Sequence, residues 1–241
     1  MNFTTMKKVT LVIIILSAVI VNFNCVAQNK SKRTAKEFTA SLMQDSCSFI
    51  TTGRNTYFIL EPGYQLVLEG IEGNDTTRLV VTVLNEIKKI GRVETRIVEE
   101  NESVNGNTVE ISRNFFAFCK QTGSIYYFGE EVDIYKDGAI VSHDGAWIAE
   151  GNNKAGIALP GLVLLGSRYY QEIAPGIAMD RAEIISVNGI LETPAAKYTH
   201  VLKIEETTPI EPKDISYKFY APGIGLIKDG DLLLKKYGFL K

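Results

Sequence analysis

A run of acids leads into one of the chain's two histidines: Glu130, Glu131 and Asp133, followed by Lys136, Asp137, His143, Asp144 and Trp147. Carboxylates beside an imidazole can act as a general acid and base or ligate a metal ion, provided a partly buried cleft shifts their pKa values. Asp137-Gly138 lies between two strand-like runs and suits a two-residue hairpin turn, because both positions must take positive φ. Such a hairpin brings Asp133 towards His143, and the candidate catalytic group is Glu130, Glu131, Asp133 and His143. The competing reading is a solvated hairpin whose charges guard an edge strand against pairing with other chains.

The same stretch approaches a calcium loop, with Asp133 first, Asp137 fifth, Gly138 sixth and Asp144 twelfth. Tyr135 fails the third ligand position, and Asp144 is shorter than the usual Glu. Asp133, Asp137 and Asp144 are therefore metal candidates only against the plainer hairpin. Elsewhere there is no Gly-x-Ser-x-Gly elbow, no His-Glu-x-x-His, no Cys-x-x-Cys and no phosphate-cradling glycine loop. Gly223-Ile-Gly225 begins like a dinucleotide fingerprint, but Lys228 occupies the third glycine position. No cofactor is implied. The other histidine, His200, alternates with Thr199 and Val201 and reads as a strand residue rather than a base.

Aromatic residues recur at strand positions, among them Tyr127, Trp147, Tyr170, Tyr217 and Phe219. Successive strand residues face opposite sides, so in a curved sheet several aromatics line the concave face. They are candidate ligand-binding residues for an apolar or stacking molecule, the alternative being ordinary core.

The elements that must carry these residues are short and rich in β-branched and aromatic types: 64–71, 78–84, 93–99, 109–118, 125–128, and onward to 226–234. Gly-Asn-Asp, Asn-Gly-Asn and Thr-Gly turns separate them. The pattern predicts an all-β domain, an antiparallel meander curved into a barrel or half-barrel, with a β-sandwich as the alternative. Phe38, Leu42 and Met43 at helical spacing predict a short helix over residues 34–44.

Residues 9–20, VTLVIIILSAVI, follow Lys7 and Lys8 and lead to Cys25-Val26-Ala27, the pattern of a secretory signal peptide ending before Gln28. The run is short for a membrane span, which needs about 20 apolar residues. A lipoprotein signal acylated at Cys25 is the alternative, although Asn22-Phe23-Asn24 is bulky and polar where small residues are needed. The expected organisation is a signal peptide at 1–27, a mobile leader and short helix at 28–54, and one β domain at 55–241. No transmembrane span is expected in the mature chain, which would be periplasmic or extracellular.

Loss of Lys7 and Lys8 takes the net charge from −2 to −4, too mild to suggest nucleic acid as a partner. Cys47 and Cys119 would survive processing, and an oxidising compartment lets such a pair close into a disulfide, the alternative being two buried thiols.

The segments 55–63 (NTYFILEPG), 126–138 (YYFGEEVDIYKDG), 168–176 (RYYQEIAPG) and 220–228 (YAPGIGLIK) resemble an uncharacterised family of secreted bacterial β-rich proteins. The likeness runs from about Asn55 onward and implies no particular activity. The 220–225 motif is also similar, over a short stretch, to TapB-like and other exported β proteins. Together these readings predict an exported binding protein for an apolar small molecule or lipid, or a module that docks on a cell-envelope protein. A hydrolase or metal-dependent enzyme centred on the 130–143 hairpin is the alternative.

Overall fold

Alternation of apolar and polar residues, one to each face of a pleated strand, accounts for nearly all the regular structure. The computed structural model describes residues 36–240, and residues 37–240 belong to one compact unit. The strands begin with β1 (Phe49–Ile50), β2 (Gly53–Asn55) and β3 (Phe58–Leu60), followed by the long meander β4 (Tyr64–Glu72), β5 (Asp75–Ile90), β6 (Val93–Val104), β7 (Asn107–Cys119) and β8 (Ile125–Lys136). Short strands come next: β9 (Ala139–Ser142), β10 (Trp147–Ile148), β11 (Lys154–Leu159), β12 (Arg168–Tyr170) and β13 (Glu172–Ile173). A second meander, β14 (Arg181–Glu192), β15 (Lys197–Thr207), β16 (Ile215–Ala221), β17 (Gly225–Asp229) and β18 (Leu232–Phe239), completes the chain.

Sixteen strands share one antiparallel sheet, in the order β12-β14-β15-β16-β17-β18-β4-β5-β6-β7-β8-β11-β13 along its main path. The last strand, β18, returns to pair with β4, placing Leu234 opposite Leu68 and Phe239 opposite Tyr64. The two ends of the path, β12 and β13, are separated by Gln171 alone. Its N-terminal side pairs with β14 and its C-terminal side with β11, so the sheet is nearly closed into a barrel rather than split into a sandwich.

That closure depends on a glycine. A Cβ on Gly156 would lie 2.2 Å from the backbone of Gln171, so no other residue lets β11 approach the joint this closely.

Leu68, Val98, Ile227 and Leu234 anchor one buried cluster, and Phe115, Ile184, Leu202 and Ile204 anchor another. Tyr126 and Phe128 alternate with Tyr127 along β8, and Phe49 meets both rings edge-on at 5.1 and 5.2 Å. The segment around residues 39–50 therefore packs on that face of β7 and β8. A disulfide joins Cys47 to Cys119 with their Cα atoms 5.3 Å apart.

The helix expected over 34–44 is absent from the described part of that span, which holds only a 3-10 turn at Gln44–Ser46. Thr39 instead forms a parallel bridge to Tyr169, its N–H donating to the Arg168 carbonyl at 3.0 Å. Phe38 meets the Tyr170 ring, and Leu42 is buried, with its carbonyl accepting from the Tyr126 hydroxyl at 2.6 Å. A helix this short is marginal alone, and sheet-edge hydrogen bonds with separate sockets for Phe38 and Leu42 outweigh it. The signal-like residues 1–27, Cys25 among them, lie outside the described residues.

A candidate ligand cavity inside the barrel

The hairpin forms where expected, with Asp137 and Gly138 at φ 52° and 78° and Lys136 opposite Ala139. It does not assemble the four candidate catalytic residues. Glu130 lines an interior cavity, while its neighbour Glu131 points the other way and pairs with Lys88. Asp133 does meet His143, Oδ1 to Nδ1 at 2.9 Å, but the imidazole is 68% exposed and its Nδ1 also lies 2.8 Å from the Val132 carbonyl. Water therefore screens the pair, and Glu130 lies on the far face from it. The calcium-loop spacing is likewise a hairpin, with Asp133, Asp137 and Asp144 strung along it. Among the described residues no group of three or more His, Cys, Asp or Glu is placed to hold a metal ion.

Of the five aromatic candidates, Tyr127 lines the cavity and Trp147 backs it, edge-on to the Tyr127 ring at 5.4 Å. Tyr170, Tyr217 and Phe219 do not line it. Tyr217 and Phe219 lie beneath the Lys203 ammonium, and Tyr170 packs on Phe38. The second histidine, His200, is exposed at φ 55°, with its carbonyl accepting from the Tyr57 hydroxyl at 3.2 Å.

The cavity has a volume of about 290 Å³ and two chemically distinct sides. Alternation along each strand builds both. On β6, Val98 and Glu100 share the inward face, and on β7 so do Glu110, Ser112, Asn114 and Phe116. Phe58, Ile59, Leu66, Val81 and Val83 extend the apolar side. Glu130, Glu172, Asp180, Glu206 and Asp229 join Glu100 and Glu110 on the acidic side, with Lys218 the sole ammonium lining it among the described residues. Asp180 is exposed, which marks where the cavity reaches solvent.

Fixed hydrogen bonds hold the polar walls. The Tyr127 hydroxyl donates to Asn114 Oδ1 at 2.6 Å, and Asn114 Nδ2 donates to Ser112 Oγ at 3.2 Å. Gln171 Nε2 donates to Glu206 Oε1 at 2.9 Å, so the joint that closes the sheet is also tied to the cavity. Burial pushes Glu172 up to about 8, and the nearby carboxylates of Asp180 and Glu130 add to it. Glu100 and Glu130 each rise to about 7, chiefly by burial, with neighbouring acids contributing. Glu110 moves up by burial too. Lys218 moves the other way from a buried lysine: the Glu206 carboxylate outweighs burial and holds its ammonium well above the ordinary value.

A wider groove of about 490 Å³ lies beside the disulfide, bordered by Gln44, Asp45, Lys89, Arg92 and Glu94, with Phe49, Val93 and Phe128 its few apolar contacts. The barrel cavity is the better-formed site.

Apart from Glu130 and Tyr127, the cavity's polar residues are not among the sequence candidates. One signal for them exists in the chain. Leu202, Ile204 and Glu206 keep one phase, as do Tyr220 and Lys218, so charge falls on the face that buries apolar groups.

No family model and no curated protein matches the chain. The resemblance read from its segments therefore stands as a resemblance. Among solved structures, a candidate lipoprotein from Parabacteroides distasonis ATCC 8503 is similar at 12% identity and a TM-score of 0.33, over 80% of this chain and 99% of that one.

Proposed function

We propose that the chain is an exported binding protein, not an enzyme, and that its barrel cavity holds an apolar small molecule or lipid chain with a polar end. The observation that carries this reading is the cavity itself, whose apolar side, Phe58 to Val98, adjoins a wall of fixed polar groups. Ligand sites combine the same two features: apolar walls for affinity and a few convergent polar groups for orientation. A pure docking module has no need of such a hollow. A hydrolase centred on the hairpin would need Glu130 and His143 on one face, and they occupy opposite ones.

Export rests on the cationic start and apolar run of residues 7–20. The mature chain would begin at Gln28 in the periplasm or outside the cell, or be held to a membrane through an acylated Cys25. No helix among the described residues is long and apolar enough to cross a membrane.

Native mass spectrometry of the purified protein tests the binding reading. A co-purified small molecule, or one-to-one uptake of an apolar probe, is expected. A bare protein that takes up no probe overturns it. N-terminal sequencing that finds Gln28 supports the soluble exported form, and a lipid-modified Cys25 supports the anchored one.

A further inference from the structure

The acids of the cavity are unequally provided for. Lys218 on β16 is already committed, 3.1 Å from Glu206 on β15 and 4.0 Å from Asp229 on β17. The Glu172 carboxyl on β13 takes a backbone hydrogen bond from Asp180, and Glu130 on β8 has the Tyr127 hydroxyl beside it. Glu100 on β6 and Glu110 on β7 face the cavity and, among the described residues, make neither a hydrogen bond nor a close ion pair, the Lys218 charge acting on Glu100 only from a distance.

A second observation points the same way. Tyr220 is 8% exposed and lines the cavity next to Lys218, and its hydroxyl makes no hydrogen bond among the described residues. Buried phenol hydroxyls nearly always have one. The two carboxyl groups lack a donor, and the phenol oxygen turned into the same hollow can accept from one as well. An anionic ligand would add charge of the sign already in excess, and a neutral apolar one would leave all three as they are.

We infer that the ligand is a small amphipathic cation, an apolar amine or quaternary ammonium whose head lies among Glu100, Glu110 and Glu130 and whose apolar body lies along Val81, Val83 and Val98. Register supports the fit: Glu100 stands opposite Val81, and Val98 opposite Val83, so the carboxyls and the apolar wall are adjacent rows of one surface. This inference rests on the cavity-binding reading and gives its ligand a charge.

Uptake of such a cation exchanges for protons. Burial places Glu100 and Glu130 near 7 and Glu172 near 8, so part of the acidic wall is neutral at physiological pH. A bound ammonium favours their charged forms, and an alkyl ammonium keeps its own proton over this range. Affinity for a cation should therefore rise with pH, whereas affinity for a neutral homologue should not.

The test is calorimetric titration of the full chain with octylamine, octanol and octanoate at pH 6 and pH 8.5 in low salt. Octylamine should bind one to one, at least about tenfold tighter than octanol and about tenfold tighter at pH 8.5 than at pH 6, with octanoate unbound. The double variant Glu100→Gln with Glu110→Gln should lose most of the amine preference while still binding octanol, which also reports that it is folded. Octanol or octanoate binding the unaltered protein as tightly as octylamine overturns the cation inference and leaves the cavity reading standing. Failure of all three ligands to bind overturns both.

Discussion

The ammonium of Lys218 lies 3.1 Å from Glu206 Oε2, and Gln171 donates to the other oxygen of the same carboxylate at 2.9 Å. One buried acid thus links β15, β16 and the segment that closes the barrel. Removing a partner from a fully buried pair costs about 3–5 kcal/mol, because the remaining charge is stranded. Lys218 keeps 33% of its side chain exposed, which lowers the expected cost. Lys218→Met should destabilise by about 2 kcal/mol in urea melts, and Lys218→Arg by much less. A fully stable Met variant would mean the pair contributes nothing.

The cavity acids should give stability an inverted pH dependence. Glu172 titrates near 8 in the folded chain but near 4.5 when unfolded, so between those values the folded state binds the extra proton. Stability from this group is full below about pH 4.5 and is lost as pH rises through 8. Glu130 and Glu100, near 7, act in the same direction. Glu172→Gln mimics the protonated form, so the variant should gain on the unaltered protein as pH goes from 5 to 9. A stability difference that is flat across that range would contradict the assignment.

The antiparallel meander is legible in the chain because alternation along one strand is a local property, and the Asp137-Gly138 turn is equally local. Closure is not. It needs β18 to find β4 and Gln171 to change partners, and neither event leaves a mark within a ten-residue window. The acidic wall is hidden for a different reason. Alternation separates two faces but does not say which is enclosed, and charges such as Glu100 and Glu110 read by default as solvated. A phase slip adds to this: Val201 and Leu202 are adjacent yet both buried, next to His200 at positive φ, so the pattern in β15 breaks where it matters.

Gly156 offers a direct test of closure. An alanine Cβ there would sit 2.2 Å from Gln171 backbone atoms, which cannot turn aside as a flexible side chain can. Gly156→Ala should part β11 from β13 and cost about 3 kcal/mol, at the upper end of overpacking penalties. Hydrogen exchange should rise at Glu172 and Ile173 while β5 and β6 stay protected. Uniform loss of protection would mean that the joint is not a separate element, and no change would mean that the close approach is not real.

The Cys47–Cys119 bridge spans 72 positions and fixes the segment around residues 39–50 to β7. In the chain-entropy model, closing a loop of that size is worth roughly 4 kcal/mol, less any strain it imposes on the folded state. Phe49 against Tyr126 and Phe128, together with the Tyr126 hydrogen bond to the Leu42 carbonyl, provides the other attachment. Replacing both cysteines by Ala should therefore lower stability by about 2–4 kcal/mol and speed proteolytic cleavage ahead of Phe49, with the barrel core surviving. Phe49→Ala in the bridged protein should cost about 2 kcal/mol for its half-buried ring, less than a fully buried Phe, but leave that segment resistant to cleavage. Equal protease sensitivity in the two variants would show that the rings, not the disulfide, hold the segment in place.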